Sequence, residues 1–187
     1  MLMFPESAFG TLKNSVEDDD FEKTNFFLDI GMHKTDINAI YFASSSDMIN
    51  FLLDRLPGIH MARSETYNRT FLHFARNYDV AKVLLEKGAR IEAKDSDKHT
   101  PLHHHVRRQD NEDVIKLLLK KGADVDAKNY SLKTPLHLAV REQNISAAEI
   151  LLRNGAKVNA EDSQRYTPLH ILAGLKPSPS YRGLLRL

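Results

Sequence analysis

A chain of 187 residues that is 42% hydrophobic and 27% charged holds enough apolar material for a packed core, which excludes a disordered tail protein. The absence of cysteine excludes a disulfide framework, a thiolate nucleophile, an iron–sulfur cluster and a cysteine zinc site, and fits a reducing compartment. The formal net charge of +1 conceals an asymmetry, since residues 1 to 60 carry 4 Lys+Arg against 10 Asp+Glu, and residues 61 to 187 carry 22 against 15.

In chain order, Met1-Leu2-Met3-Phe4-Pro5-Glu6 lacks the basic and apolar segments of a signal peptide, and no later stretch approaches about 18 consecutive apolar residues, so no membrane span is expected. Leu12 and Val16 mark a first helix, Glu17-Asp18-Asp19-Asp20 an acidic turn, and Phe26-Phe27-Leu28-Asp29-Ile30-Gly31 a second helix stopped by glycine. Asn38-Ala39-Ile40-Tyr41-Phe42-Ala43 and the run beginning at Phe51 repeat this arrangement. Phe26, Phe27 and Phe51 are expected at core positions of second helices, which disfavours a stacking platform for nucleic acid.

From Thr70 the repetition becomes explicit. Thr70-Phe71-Leu72-His73, Thr100-Pro101-Leu102-His103, Thr134-Pro135-Leu136-His137 and Thr167-Pro168-Leu169-His170 recur at intervals of 30, 34 and 33 residues. In step with them run Leu84-Leu85-Glu86-Lys87-Gly88-Ala89, Leu118-Leu119-Lys120-Lys121-Gly122-Ala123 and Leu151-Leu152-Arg153-Asn154-Gly155-Ala156. Thr caps a helix, Pro suits the first helical position because its missing N–H would be unpaired there, and Leu begins the buried face. A second helix follows, ended by a left-handed glycine. The polar stretch from Ala123 to Lys133 reads as an extended, hairpin-like link.

These paired motifs resemble the ankyrin repeat family, most clearly from Thr70 to Ala173. The resemblance implies an all-α repeat solenoid of stacked helix-turn-helix units joined by hairpin-like loops. It divides the chain, as a single array over 1–187, into a degenerate capping repeat at 7–37, shortened repeats at 38–69 and 70–99, full repeats at 100–133 and 134–166, and an incomplete repeat or cap at 167–187. Lys176-Pro177-Ser178-Pro179-Ser180 should interrupt the last helix, leaving Tyr181 to Leu187 as a short substitute for the missing one. A piece of a longer array is the alternative reading of that end. The family's hairpin glycine is replaced by Asn68, Lys98, Leu132 and Arg165, so strained left-handed tips are expected.

Four histidines, His99, His103, His104 and His105, invite a metal reading, because imidazole binds Zn²⁺ and three or four ligands must converge. Against it, His73, His103, His137 and His170 share one motif position at which the resemblance implies hydrogen bonds between neighbouring turns. His104 and His105 diverge by about 100° on a helix, and no acidic ligand pattern is apparent beside them. No metal site and no cofactor are therefore assigned. His105 stands where other units have Ala75, Ala139 and Leu172, which predicts crowding and a local distortion. No G-x-S-x-G, phosphate-cradling glycine loop or H-E-x-x-H is present, so no enzyme is expected.

The expected function is a non-enzymatic protein–protein interaction module: an adaptor, scaffold or inhibitor that binds a folded partner through the concave face. The resemblance puts contacts at Ser96, Asp97, His99, Arg107 and Arg108, at Tyr130, Ser131, Lys133, Arg141 and Glu142, and at Ser163, Gln164 and Tyr166. Arg and Tyr are enriched in hot spots, so Arg107, Arg108, Tyr130, Arg141 and Tyr166 lead the set. The basic central face calls for a protein partner with an acidic patch, with no nucleic acid or membrane involved and the chain acting as a cytoplasmic monomer. Alternatives are a virus- or bacterium-encoded host-directed effector resembling ankyrin inhibitors of Rel-type transcription factors, acting in the host cytoplasm or nucleus, and a histidine-cluster metal-binding protein.

Overall fold

The computed structural model describes residues 6–31, 41–64 and 66–174. Every regular element among them is helical, giving an all-α repeat fold, and the chain divides into two compact units, Met1–Ile91 and Glu92–Leu187.

The first unit contains α1 (Glu6–Glu17), α2 (Phe21–Asp29), α3 (Ser46–Arg55), a 3₁₀ turn at Ile59–Met61, α4 (Phe71–Phe74) and α5 (Tyr78–Glu86). Leu12 and Val16 are buried on α1, as their helical spacing requires, and Thr24 donates its hydroxyl to Ser15 Oγ at 3.0 Å across the α1–α2 pair. Asp20 caps α2 by accepting the Lys23 N–H. The buried stripe of α2 is Thr24 and Leu28, one helical turn apart, so Phe26 lies opposite it and is 59% exposed. Phe27 and Phe51 are half-buried, and the expected core placement of these aromatic residues is corrected accordingly. The apolar pattern of α2 is too short to fix its phase, and polar Thr24 takes the inward position because Ser15 satisfies its hydroxyl.

On α3, Ser45 accepts the Met48 N–H, and Met48, Ile49, Leu52 and Leu53 form the inner face. Tyr41 packs its ring against Phe71 and Phe74, with centroids 4.4 and 4.7 Å away, and donates its hydroxyl to the Arg69 carbonyl. Burial raises the pKa of that phenol, so it remains protonated. In the shortened unit that begins at Thr70, α4 spans only Phe71–Phe74. Its counterpart around Asn38, Ala39 and Ile40 falls outside the described residues.

The second unit contains α6 (Pro101–His105), α7 (Glu112–Lys120), α8 (Pro135–Arg141), α9 (Ile145–Arg153) and α10 (Pro168–Leu172). Thr100, Thr134 and Thr167 are the N-caps and proline follows each of them. The motif histidine turns back on its own cap: Nδ1 accepts the threonine N–H at 3.1–3.2 Å in these three repeats. Gly122 and Gly155 end α7 and α9 with φ of +91° and +86°, where a Cβ would be strained, and the following alanine N–H bonds back to Leu118 or Leu151. Val114, Ile115, Leu117 and Leu118 fill the core from α7, and Ala147, Ile150 and Leu151 from α9. The proline-interrupted terminus and the substitute for a last helix, Tyr181 to Leu187, lie outside the described residues.

Candidate functional site

Each hairpin of the second unit is organised by one side chain. Asp95 Oδ1 accepts the N–H groups of Asp97 and His99 at 2.9 and 2.8 Å, Asn129 Oδ1 those of Ser131 and Lys133, and Asp162 Oδ1 those of Gln164 and Tyr166. Lys98, Leu132 and Arg165 close these turns at φ of +60°, +57° and +65°, so the left-handed tips expected from the missing glycines are present, as is that of Asn68 at +56°. Adjacent hairpins are joined by backbone bonds from Tyr130 N–H to the Asp97 carbonyl and from Ser163 N–H to the Ser131 carbonyl. The three organising residues recur five positions before each motif Thr. Their spacing of 34 and 33 was the signal available in the sequence, and reasoning from contact positions alone missed it.

The motif histidines link successive turns. His103 Nε2 donates to the Lys133 carbonyl at 3.1 Å and His137 Nε2 to the Tyr166 carbonyl at 3.0 Å. Burial pushes both pKa values down, that of His103 to about 4, so at neutral pH each ring is uncharged with its proton on Nε2.

At His105 the local distortion expected from crowding takes the form of an early helix end and a longer turn. The histidine side chain is fully buried, and Nδ1 faces the Asn111 amide at 2.8 Å, while α6 stops at His105 and six residues lead to α7. In the next repeat α8 runs seven residues and only three precede α9. There the equivalent asparagine, Asn144, spends its amide on the carbonyls of Val106 and Arg108. The histidine is accommodated by a hydrogen bond and a longer turn.

The expected contact residues separate into two groups. Asp97, Arg107, Arg108, Tyr130, Arg141 and Gln164 are exposed, Tyr130 at 74%. His99, Lys133, Glu142 and Tyr166 are half-buried and engaged within the unit. Lys133 Nζ lies 3.8 Å from Asp162 Oδ2, and the Tyr166 ring packs edge-on to His170. Glu142 is held by Arg141 at 2.8 Å and by Arg107 of the preceding repeat at 3.5 Å. The hydrogen bond from Arg141 leads among the effects that lower its pKa, keeping the carboxylate ionised. Lys98 Nζ stands 5.5 Å from the Tyr130 ring centroid. The ten residues together carry four positive and two negative side chains, not counting His99.

The histidine cluster is regrouped by the fold. His103 and His105 point to separate partners, whereas His99 and His104 converge on Asp95, and the expectation that no acidic group accompanies them is corrected. The hairpin folds Asp95 back onto α6, nine residues before His104 in the chain, a proximity that helical periodicity does not report. His104 Nε2 is 2.8 Å from Asp95 Oδ2, and His99 Nδ1 is 3.6 Å from Oδ1. Burial opposes ionisation of Asp95, but the bonds from His104 and from the His99 backbone outweigh it and hold the carboxyl at about 2.

A unit of repeated helix pairs joined by internally bonded hairpins defines a repeat protein. The family model for ankyrin repeats in three copies matches residues 91–162, and the single ankyrin repeat model matches residues 67–96. The chain belongs to the ankyrin repeat family. Ankyrin repeats are in general protein–protein interaction modules, and proteins built from them are generally non-enzymatic. A search of curated proteins finds no match. Among the described residues, no helix is long and apolar enough to cross a membrane.

Proposed function

We propose that this protein is an adaptor, scaffold or inhibitor that binds a folded protein carrying an acidic patch, through the hairpin tips and first-helix ends of residues 92–174. The observation that carries this reading is the exposure of Arg107, Arg108, Arg141 and Tyr130, with the Tyr130 hairpin held by Asn129 and bonded to the Asp97 hairpin before it. A rigid, satisfied scaffold gives up little entropy when such side chains are engaged. Asp97, His99, Lys133, Glu142, Gln164 and Tyr166 complete the proposed surface, with His99, Lys133 and Tyr166 shaping it through their contacts within the unit. We assign the whole sequence to one array acting as a cytoplasmic monomer.

The test compares affinity capture by the wild-type chain with capture by a variant carrying Arg107, Arg108, Tyr130 and Arg141 changed to Ala, after circular dichroism shows both equally folded. A partner retained by the wild type and lost by the variant supports the reading. The same partners on both proteins would move the surface elsewhere on the chain.

A further inference from the structure

Beneath the recognition surface, which it meets at His99, one cluster brings an acidic side chain and two imidazoles together. The Asp162 hairpin forms with the same two backbone bonds as the Asp95 hairpin, and its second carboxylate oxygen faces a lysine. At Asp95 the second oxygen faces His104 instead, at a position where the other units have Phe74, Leu138 and Ile171. An imidazole thus replaces an apolar side chain, and a second imidazole, that of His99, approaches from the end of the same hairpin with its ring centroid 5.6 Å from that of His104.

One ligand atom from each of Asp95, His99 and His104 lies within 4.8 Å of the other two. In a tetrahedral site with bonds of about 2.0–2.1 Å, neighbouring ligand atoms are about 3.3 Å apart. His104 Nε2 lies 2.8 Å from Asp95 Oδ2 and His99 Nδ1 lies 3.6 Å from the other oxygen, Oδ1, so small rotations of these side chains bring one carboxylate oxygen and both nitrogens to that spacing. The carboxylate already has the support that ligating carboxylates have elsewhere, because Oδ1 is fixed by two backbone N–H groups while Oδ2 faces the cluster. The side chains of His99 and His104 are 15% and 12% exposed, so the cluster lies close beneath the surface, and His99 Nδ1 is buried within it. Two imidazoles and one carboxylate suit a borderline ion such as Zn²⁺ better than Ca²⁺ or Mg²⁺, which prefer oxygen.

We propose that Asp95, His99 and His104 bind a divalent transition-metal ion through one carboxylate oxygen, His99 Nδ1 and His104 Nε2. Asn129 sets how tightly. Its Oδ1 is committed to the N–H groups of Ser131 and Lys133, so its Nδ2 donates to His99 Nε2 at 3.0 Å. That bond favours the proton on Nδ1, where the ion binds. Metal binding transfers this proton to Nε2, against the amide, and moves the His104 proton from Nε2, where it bonds the carboxylate, to Nδ1. Both proton shifts weaken binding. Asn129→Asp keeps the hairpin acceptor that Asp95 and Asp162 use, and also offers an oxygen to the Nε2 proton. Changes of this kind around a metal-bound imidazole alter affinity by about 10- to 100-fold.

The test is isothermal titration of the full, untagged chain with ZnCl₂. One ion should bind per chain with micromolar affinity, and His104→Leu, which restores the residue type of the next repeat, should weaken binding at least about 10-fold. Asn129→Asp should strengthen it by a similar factor. His99→Gln supplies a second loss-of-ligand variant if His104→Leu does not fold. Absence of Zn²⁺ binding in the wild type, or wild-type affinity in a folded ligand variant, would overturn the proposal, the latter by placing the ion at other histidines. Either result leaves the protein-recognition reading to its own test.

Discussion

The substitutions that separate this chain from a regular repeat each have a local consequence. Leu132 and Arg165 occupy left-handed turns that cost an L-residue roughly 1–2 kcal/mol, whereas glycine adopts them freely. Glycine also gains freedom in the unfolded chain, so only part of the strain is recovered. Leu132→Gly and Arg165→Gly should each stabilise the protein by about 0.5–1 kcal/mol, seen as a higher urea midpoint at unchanged slope. A lower midpoint would mean that contacts of the replaced side chain outweigh the turn strain. His105 presents the opposite case. His105→Ala removes a fully buried ring and leaves the Asn111 amide facing a cavity, so a loss of about 2–4 kcal/mol is expected in the same assay. A neutral result would support the crowding explanation.

Among the elements, the first-helix starts couple capping to stacking. His103 and His137 each accept from their own cap and donate to the next hairpin, which requires the neutral ring. Their folded pKa values lie below the unfolded value of about 6.5. The unfolded chain therefore binds more protons in the intervening range, and stability falls as pH drops below about 6.5. For His103 the loss continues to about pH 4 and amounts to about 3 kcal/mol. Asp95 acts in a separate window: its folded pKa is depressed to about 2, so the stability it adds is present above about pH 4 and is lost between there and pH 2. Urea unfolding across pH 3.5–7.5 should show the first decline, and His103→Gln should flatten it; an unchanged profile would show that His103 is not the group responsible.

These elements also show what the sequence made legible. Caps at Thr100, Thr134 and Thr167 and glycine stops at Gly122 and Gly155 were readable because local backbone chemistry fixes them at a constant spacing. The phase of α2 was not, because nine residues with three phenylalanines allow several inner faces and a buried Ser15–Thr24 bond selects one. The convergence of Asp95 on His99 and His104 was equally hidden, since it depends on the hairpin folding over α6.

For the molecule as a whole, charge is the property that bears most directly on recognition. Residues 61 to 187 carry an excess of seven positive charges, yet on the proposed surface Glu142 lies between Arg107 and Arg141. An acidic partner must compete with this internal carboxylate, whose pKa is lowered by the same arginines. Both arginines are about two-fifths exposed, so the internal pairs are weak and salt-sensitive. Glu142→Gln should free the two guanidinium groups without disturbing α8, and raise affinity for the captured partner several-fold at low ionic strength. The gain should shrink as salt approaches about 1 M, where the screening length falls to about 3 Å. Binding isotherms at three salt concentrations decide the matter. A gain that persists at high salt would mean that Glu142 obstructs the partner sterically, and a loss at every salt concentration would mean that Glu142 makes a contact of its own with a basic group. Only the salt-dependent gain supports an arginine pair that reads an acidic patch.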